Sequence, residues 1–221
     1  MIDSRLATFH GLFLVLGTTF LLAPVDISMG WRIFAAGVFY NIALPLFAVR
    51  CTEPRWIRIW SFLFPLSLLQ ICPDWYLVDI LGTLTFPDLG FPKVGPVSAF
   101  MGLLWIVPLF LVVHFGENLA EAKSLRTAAF GSGALAVLIF GISEATLTHI
   151  PVWHPVGVDA VVGPLALYVL LPEALLGSSA WWAFRLTENR HFAVKLFAAI
   201  CVMLGYILTL TVSYRLIEGP W

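Results

Sequence analysis

Seven stretches of mostly apolar residues dominate this sequence. A membrane-spanning helix needs about 20 consecutive, largely apolar residues. The segments that meet this test are 6–24, 31–49, 56–81, 97–116, 125–147, 159–183 and 192–214. The composition agrees, because 60% of the residues are hydrophobic and only 11% are charged, whereas soluble domains carry about 25% charged residues. We therefore expect an all-α membrane protein, a seven-helix transmembrane bundle that forms a single domain over residues 1–221.

The basic residues predict how these helices are oriented. With seven spans, nine of the twelve Lys and Arg residues fall on the side of the N-terminus, and three fall on the other side. The nine are Arg5, Arg50, Arg55, Arg58, Lys123, Arg126, Arg185, Arg190 and Lys195, and the three are Arg32, Lys93 and Arg215. Since cytoplasmic loops carry an excess of Lys and Arg, this pattern predicts a cytoplasmic N-terminus and a C-terminus on the far side. The corresponding location is a bacterial inner membrane or an equivalent membrane.

Proline interrupts the third apolar segment at Pro65 and Pro73. Proline is tolerated in membrane helices when neighbouring groups satisfy the freed carbonyls. We therefore expect a kinked or partly re-entrant helix at this position.

Glu173 is the charged residue placed deepest in the apolar segments. It lies about fourteen residues into the sixth segment, which corresponds to roughly 21 Å of helix, and it directly follows Pro172. A charge within the hydrocarbon costs at least about 2.5–3.5 kcal/mol, so such residues face the bundle interior and are functional candidates. The sequence alone leaves a structural, hydrogen-bonded carboxyl as the alternative.

A second group of titratable residues lies at the predicted outer surface. Glu144 lies near the outer end of the fifth segment, and His149, His154 and Asp159 follow on the connection to the sixth. A carboxylate beside imidazoles at an apolar boundary suits general acid–base catalysis near neutral pH. We therefore predict Glu144 as a catalytic residue and the other three as substrate-binding residues. Their spacing is not a recognised set of metal ligands, so we expect no metal.

An approximate internal repeat adds Asp79 to the predicted catalytic residues. Asp79 and Glu144 are each followed by a proline-containing outer loop and a Val-Gly-Pro segment. A helix with an internal proline comes next in both cases. A parallel repeat would place Asp79 and Glu144 symmetrically around a cavity open to the outer side, where membrane repeats often bind their ligands.

This plan resembles the integral-membrane terpenoid cyclases. That group includes heterodimeric-type lycopene cyclases, fungal meroterpenoid cyclases and the related membrane carotenoid hydratases. The resemblance covers about residues 70–180, and the part from Glu144 through Pro172-Glu173 is most similar to the hydratases. The acidic Pro-x-Glu-Glu signature of lycopene cyclases does not occur in this sequence.

The resemblance implies a reaction that starts with protonation and needs no cofactor. A carboxylic acid, kept neutral by an apolar site, would protonate an alkene or an epoxide of an isoprenoid or carotenoid-like lipid. Glu144 or Asp79 would donate the proton, and Glu173 would assist as its partner or stabilise the cation. Trp105 and Tyr168 would contact the substrate, because aromatic faces attract a developing carbocation.

Two other function classes fit the same sequence. The small size and short loops suit a non-catalytic subunit or assembly factor of a membrane complex. The buried acids suit a small proton-coupled transporter. The net charge of −1 gives no reason to expect nucleic acid as a partner. We expect a lipophilic small molecule and membrane lipid as partners, and the sequence leaves open a homo-oligomer or a larger complex.

Overall fold

The computed structural model describes residues 4–145 and 150–219, and seven helices account for most of these residues. They are α1 (Ser4–Leu22), α2 (Met29–Arg50), α3 (Pro54–Ile80), α4 (Met101–Ala122), α5 (Leu125–Ala145), α6 (Leu170–Thr187) and α7 (Phe192–Ile217). All of these helices except α6 are long and apolar enough to cross a membrane. The chain is therefore a predominantly helical, multi-pass membrane protein, as its composition predicts.

The sixth segment begins later than the sequence predicts. The expected span was 159–183, whereas α6 begins at Leu170 after a 3₁₀ turn over Leu167–Val169. The preceding apolar residues form two short strands instead. Within α6, Glu173, Arg185 and two tryptophans lower the mean hydropathy, so this helix does not meet the length-and-composition test that the other six meet.

Helix α3 is irregular near its end. It consists of an α-helical part over Pro54–Leu69, a short part over Ile71–Trp75 and a π-helical turn over Tyr76–Ile80. α4 has a smaller interruption, with helical parts over Met101–Leu104 and Ile106–Ala122. A π-helical turn changes which residues face the bundle and is frequent at functional sites. The irregular part of α3 supplies one of the acids described below.

Six two-residue strands form the connections at one end of the bundle. They are β1 (Leu84–Thr85), β2 (Lys93–Val94), β3 (Val97–Ser98), β4 (His154–Pro155), β5 (Val161–Val162) and β6 (Leu165–Ala166). β2 pairs with β3 and β5 with β6 as hairpins, while β1 pairs antiparallel with β4. Each hairpin turns at a glycine of positive φ, Gly95 at +58° and Gly163 at +61°, a conformation that favours glycine. Both Val-Gly-Pro segments thus adopt the same local structure, and the β1–β4 pair joins their two loops.

Ion pairs connect the helix ends at the opposite end of the bundle. The carboxylate of Glu117 on α4 is fully buried and binds Arg55 of α3 and Arg185 of α6. Arg58 of α3 bonds Glu188 just after α6, at 2.9 Å. The titratable groups of this end therefore serve to hold the helices together, whereas a second set of acids lies near the strands.

Candidate functional site

A cavity of about 320 Å³ lies in the half of the bundle nearest the strands. All seven helices and both long connections contribute to its wall, and most of the lining side chains are apolar. Pockets that bind small molecules typically enclose about 300–1,000 Å³ and combine apolar walls with a few polar groups. By these criteria the cavity is a candidate site for one small, apolar ligand.

Three carboxyl groups line this cavity, each from a different helix. They belong to Asp74 of α3, Glu144 of α5 and Glu173 of α6. Asp74 is 3% exposed and Glu173 is 4% exposed. Glu144 and Glu173 are close enough to interact electrostatically. Because acids in apolar surroundings are costly, their convergence on one cavity marks it as the main functional candidate.

Glu173 lies in the first turn of α6, beside Pro172. Its Oε2 atom is buried and has no hydrogen-bond partner among the described residues. Buried polar atoms nearly always have a partner in native proteins, so an exception requires an explanation. The Glu173 carboxyl group forms part of the cavity wall, so a substrate or a transferable proton in the cavity would explain this exception.

Glu144 occupies the end of α5, where the chain leaves the helix. Its carboxylate accepts a hydrogen bond from the backbone N–H of Ala166 in strand β6. The second hairpin thereby fixes the position of the Glu144 side chain. Glu144 is only half-buried, so it links the interior of the cavity with its outer edge.

Asp74 faces an aromatic wall. The Trp105 indole Nε1–H donates a hydrogen bond of 3.1 Å to Asp74 Oδ2. The Trp105 ring also packs against Phe140, with ring centroids 5.2 Å apart, and against Tyr206 at 6.0 Å. All four side chains line the cavity. A carboxyl group and several π faces are therefore available to the same ligand.

Tyr168 connects the first long connection to the segment that precedes α6. Its hydroxyl donates a 2.8 Å hydrogen bond to Thr83 Oγ1, and both side chains are buried and line the cavity. Thr83 belongs to the loop after α3, whereas Tyr168 belongs to the 3₁₀ turn directly before α6. This bond ties the first long connection to the helix that carries Glu173.

The structure brings four of the predicted site residues together. Glu144, Glu173, Trp105 and Tyr168 all line the cavity. Asp79, the third residue predicted as catalytic, is exposed, does not line the cavity and accepts a 2.5 Å hydrogen bond from Trp75 Nε1. Asp74 takes the position in the cavity wall that we had expected for Asp79.

The residues predicted from the second connection are placed differently. His154 pairs with Thr85 between strands β4 and β1, and it is the neighbouring Trp153 and Pro155 that line the cavity. Asp159 is exposed, and its backbone N–H donates a 2.9 Å hydrogen bond to Glu218 Oε2. Neither side chain lies in the cavity wall, because the strand and the turn direct both elsewhere. His149 lies outside the described residues.

Helical periodicity was the signal that could have identified Asp74. The residues buried near it are Gln70, Pro73 and Leu77, which repeat at three to four positions and so form one face. Asp79 follows Asp74 by five positions, lies in the π-helical turn and is exposed, so it is on another face. Tyr206 and Phe140 had no such signal, since α7 and α5 also contain aromatic residues outside the cavity wall, such as Phe197 and Phe130. Across residues 4–145 and 150–219, no group of three or more His, Cys, Asp or Glu side chains could hold a metal ion.

Comparison with known protein families identifies one match. Residues 71–217, well over half of the chain, match the family model described as "Domain of unknown function (DUF6989)". The chain belongs to this family. No curated protein and no solved structure shows significant similarity to this chain.

The part of this DUF6989 protein that matches the family model contains all three acids of the cavity. It begins within α3 and extends to the end of α7, so it includes Asp74, Glu144 and Glu173. Helices α1 and α2 precede the matched region and complete the cavity from one side.

Proposed function

We propose that this protein is an intramembrane enzyme that cyclises or hydrates an isoprenoid or carotenoid-like lipid by acid–base chemistry. The observation that carries the proposal is the convergence of Asp74, Glu144 and Glu173 on one apolar cavity. Apolar walls suit a lipid substrate, and carboxyl groups suit proton transfer. The likeness of the sequence plan to membrane terpenoid cyclases agrees with this combination.

The proposed first step is proton transfer from the Glu144–Glu173 pair. A charged carboxylate that is buried without a partner is costly, so the environment of Glu173 Oε2 suits a neutral carboxylic acid. The O–H bond of the Glu173 carboxyl group breaks as a C–H bond forms at an alkene carbon of the substrate, and positive charge develops on the neighbouring carbon. Glu144 extends to the outer edge of the cavity, from which it can restore the proton to the pair.

The aromatic wall would stabilise the cation formed in this step. The faces of Trp105, Tyr206 and Phe140 line the cavity beside Asp74, and aromatic faces attract cations. The reaction ends when the cation loses a proton to a carboxylate or gains water. The first outcome is cyclisation or isomerisation, and the second is hydration. Neither needs an oxidant or a reductant, which is consistent with a cofactor-independent enzyme.

We further propose that α6 also spans the membrane, which gives seven spans and a cytoplasmic N-terminus. α6 packs between α5 and α7, two helices that are long and apolar enough to span. A helix enclosed in this way is shielded from lipid on its polar side, so Glu173 and Arg185 do not prevent insertion. The excess of Lys and Arg at the end of the bundle that contains the N-terminus favours this orientation.

The proposed activity is tested by comparing lipid extracts of a terpenoid- and carotenoid-producing host with and without this chain. We expect a new or depleted isoprenoid, detected by mass spectrometry as a shifted mass or retention time. An unchanged lipid profile, with the protein present in the membrane, would contradict the proposal. In that case, co-purification of stoichiometric partners would favour the subunit function, and flux into proteoliposomes would favour transport.

A further inference from the structure

We propose that the cavity receives only the reactive end of a linear isoprenoid lipid, whose chain leaves past α1 directly into the bilayer. This inference rests on the proposed function and adds to it the shape of the substrate and its route of entry. It follows from the distribution of polar groups in the cavity, from the packing of α1 and from the size of the cavity.

The cavity has a polar wall and an apolar wall. Its carboxyl and phenol groups come from α3, α5, α7 and the start of α6. The lining residues from α1 and α2 include no titratable group; they are Phe13, Leu14, Gly17, Thr18, Leu21, Ile33 and Ala36. A ligand with one reactive end and one apolar chain would therefore place the chain along α1.

Helix α1 closes the cavity with a thin wall. Leu14 lines the cavity, yet it is 68% exposed on the outer surface of the bundle. A Cβ atom added to Gly17, another lining residue, would have no atom within 4 Å. No side chain from residues 14–20 belongs to either cluster of packed apolar residues. Along this part of α1, little separates the cavity from the lipid.

The two ends of α1 are fixed, whereas this middle part is not. Near its start, Arg5 forms an ion pair with Glu53, and the His10 ring bonds the Tyr40 hydroxyl at 3.0 Å. Past its end, the Arg32 guanidinium bonds four backbone carbonyls, those of Leu21, Ala23, Val25 and Ile27. Residues 14–20 have no side-chain hydrogen bond or ring contact within the described parts of the chain. The middle of α1 thus lines the cavity without a side-chain bond that ties it to the rest of the bundle.

The volume of the cavity also limits what it can enclose. About 320 Å³ is near the lower limit for pockets that bind small molecules. A long isoprenoid chain exceeds this space, so part of it must extend outside. Leu14 and Thr18 of α1 are the lining residues whose side chains are exposed, and in the membrane this side faces hydrocarbon.

Two photoreactive forms of geranylgeraniol test this arrangement in phosphatidylcholine vesicles that contain the purified protein. One form carries a diazirine near the hydroxyl end, and the other carries it at the far end of the chain. We expect the first to label α3, α4, α6 or α7 around Trp105 and Glu173, and the second to label α1 near Gly17. Far-end labelling restricted to α3, α4, α6 and α7 would overturn the proposed route while leaving the proposed function intact. Absence of labelling by the first form would count against the cavity as an isoprenoid site. It would therefore contradict both the proposed function and the proposed route.

Two glycines of α1 provide a matched pair of variants. Gly11 and Gly17 both have open space where a Cβ would be, but only Gly17 lines the cavity. We expect Gly17→Trp to reduce labelling by both forms to background and Gly11→Trp to leave it unchanged. Size-exclusion profiles and thermal unfolding of both variants should match the wild type, which separates a blocked entrance from a folding defect. Unchanged labelling in a correctly folded Gly17→Trp variant would overturn the proposed route.

Discussion

Two aspartates in the last part of α3 have different surroundings although only five positions separate them. Asp74 is buried in the cavity wall and accepts a hydrogen bond from Trp105, whereas Asp79 is exposed beside Trp75. The approximate repeat in the sequence suggested Asp79 instead. Leu77 is buried and lines the cavity, whereas Ile80 is 68% exposed, so the composition of this short segment could not show which side of the helix faces the interior.

This difference predicts unequal effects of the same substitution at the two positions. Asp74→Asn keeps the size of the side chain and can still accept a hydrogen bond from Trp105, but it removes the carboxyl group. We expect it to lower product formation by about 10²-fold, the lower end of what a general acid or base contributes. Asp79→Asn should leave product formation unchanged. Quantification of the product in membranes with equal amounts of each variant gives the answer, and equal activity of both variants would exclude a chemical role for Asp74.

At the scale of the elements, α3, α4 and α6 are joined at the end of the bundle away from the cavity. Glu117 of α4 accepts hydrogen bonds from Trp181 Nε1 at 2.9 Å and from Arg185 Nη1 at 3.1 Å, both on α6, and it also pairs with Arg55 of α3. Arg55 and Arg185 lie 62 and 68 positions from Glu117 in the sequence. These partners come from other helices, so only the tertiary structure could identify them.

Glu117→Ala should therefore destabilise the protein strongly. It leaves two arginines and a buried indole N–H without their shared acceptor, and removal of one partner from a buried ion pair costs about 3–5 kcal/mol. We expect a value near the lower end, since the side chains of Arg55 and Arg185 are 25% and 35% exposed. Glu121 is a matched control, because it also binds Arg55 but its side chain is 60% exposed. Glu121→Ala should cost less than about 1 kcal/mol. Thermal unfolding of both variants in detergent tests these expectations. Equal losses of stability in the two variants would contradict the structural role of Glu117.

The sequence predicted some elements more reliably than others. The apolar segments located the ends of six helices to within six residues, because length and hydropathy largely determine a membrane helix. The start of α6 was wrong by eleven residues, from 159 to 170, since the apolar Val161–Val162 and Leu165–Ala166 segments form a hairpin. The π-helical turn of α3 and the pairing of β1 with β4 have no sequence signal of comparable strength. Both depend on contacts between distant segments.

At the scale of the whole molecule, the two ends of the bundle differ in their polar groups. One end holds the ion pairs, and the other holds the cavity, the hairpins and the acids. Glu144 and Glu173 could be predicted individually as costly charges in apolar segments. Their meeting with Asp74 could not be predicted, because these residues lie on three helices whose packing the sequence does not specify.

The proposed seven spans predict opposite locations for the two ends of the chain. A phosphatase that folds only outside the cytoplasm should be active when fused to the C-terminus and inactive when fused after Arg190, between α6 and α7. If α6 did not span and the N-terminus were cytoplasmic, the site after Arg190 would lie outside and the C-terminus inside. The fusion after Arg190 would then be active and the C-terminal fusion inactive. An inactive C-terminal fusion in a correctly inserted protein would therefore contradict seven spans with a cytoplasmic N-terminus.

The central claim is that carboxyl groups in the cavity transfer protons to a lipid substrate, and Glu144→Gln tests it most directly. Glutamine keeps the shape of the side chain and can still accept the hydrogen bond from Ala166, but it cannot act as an acid. Mass spectrometry of lipid extracts should show the product with the wild type and with Asp79→Asn, and its loss with Glu144→Gln at equal protein levels. Undiminished product from Glu144→Gln would remove this residue from the mechanism and contradict the account.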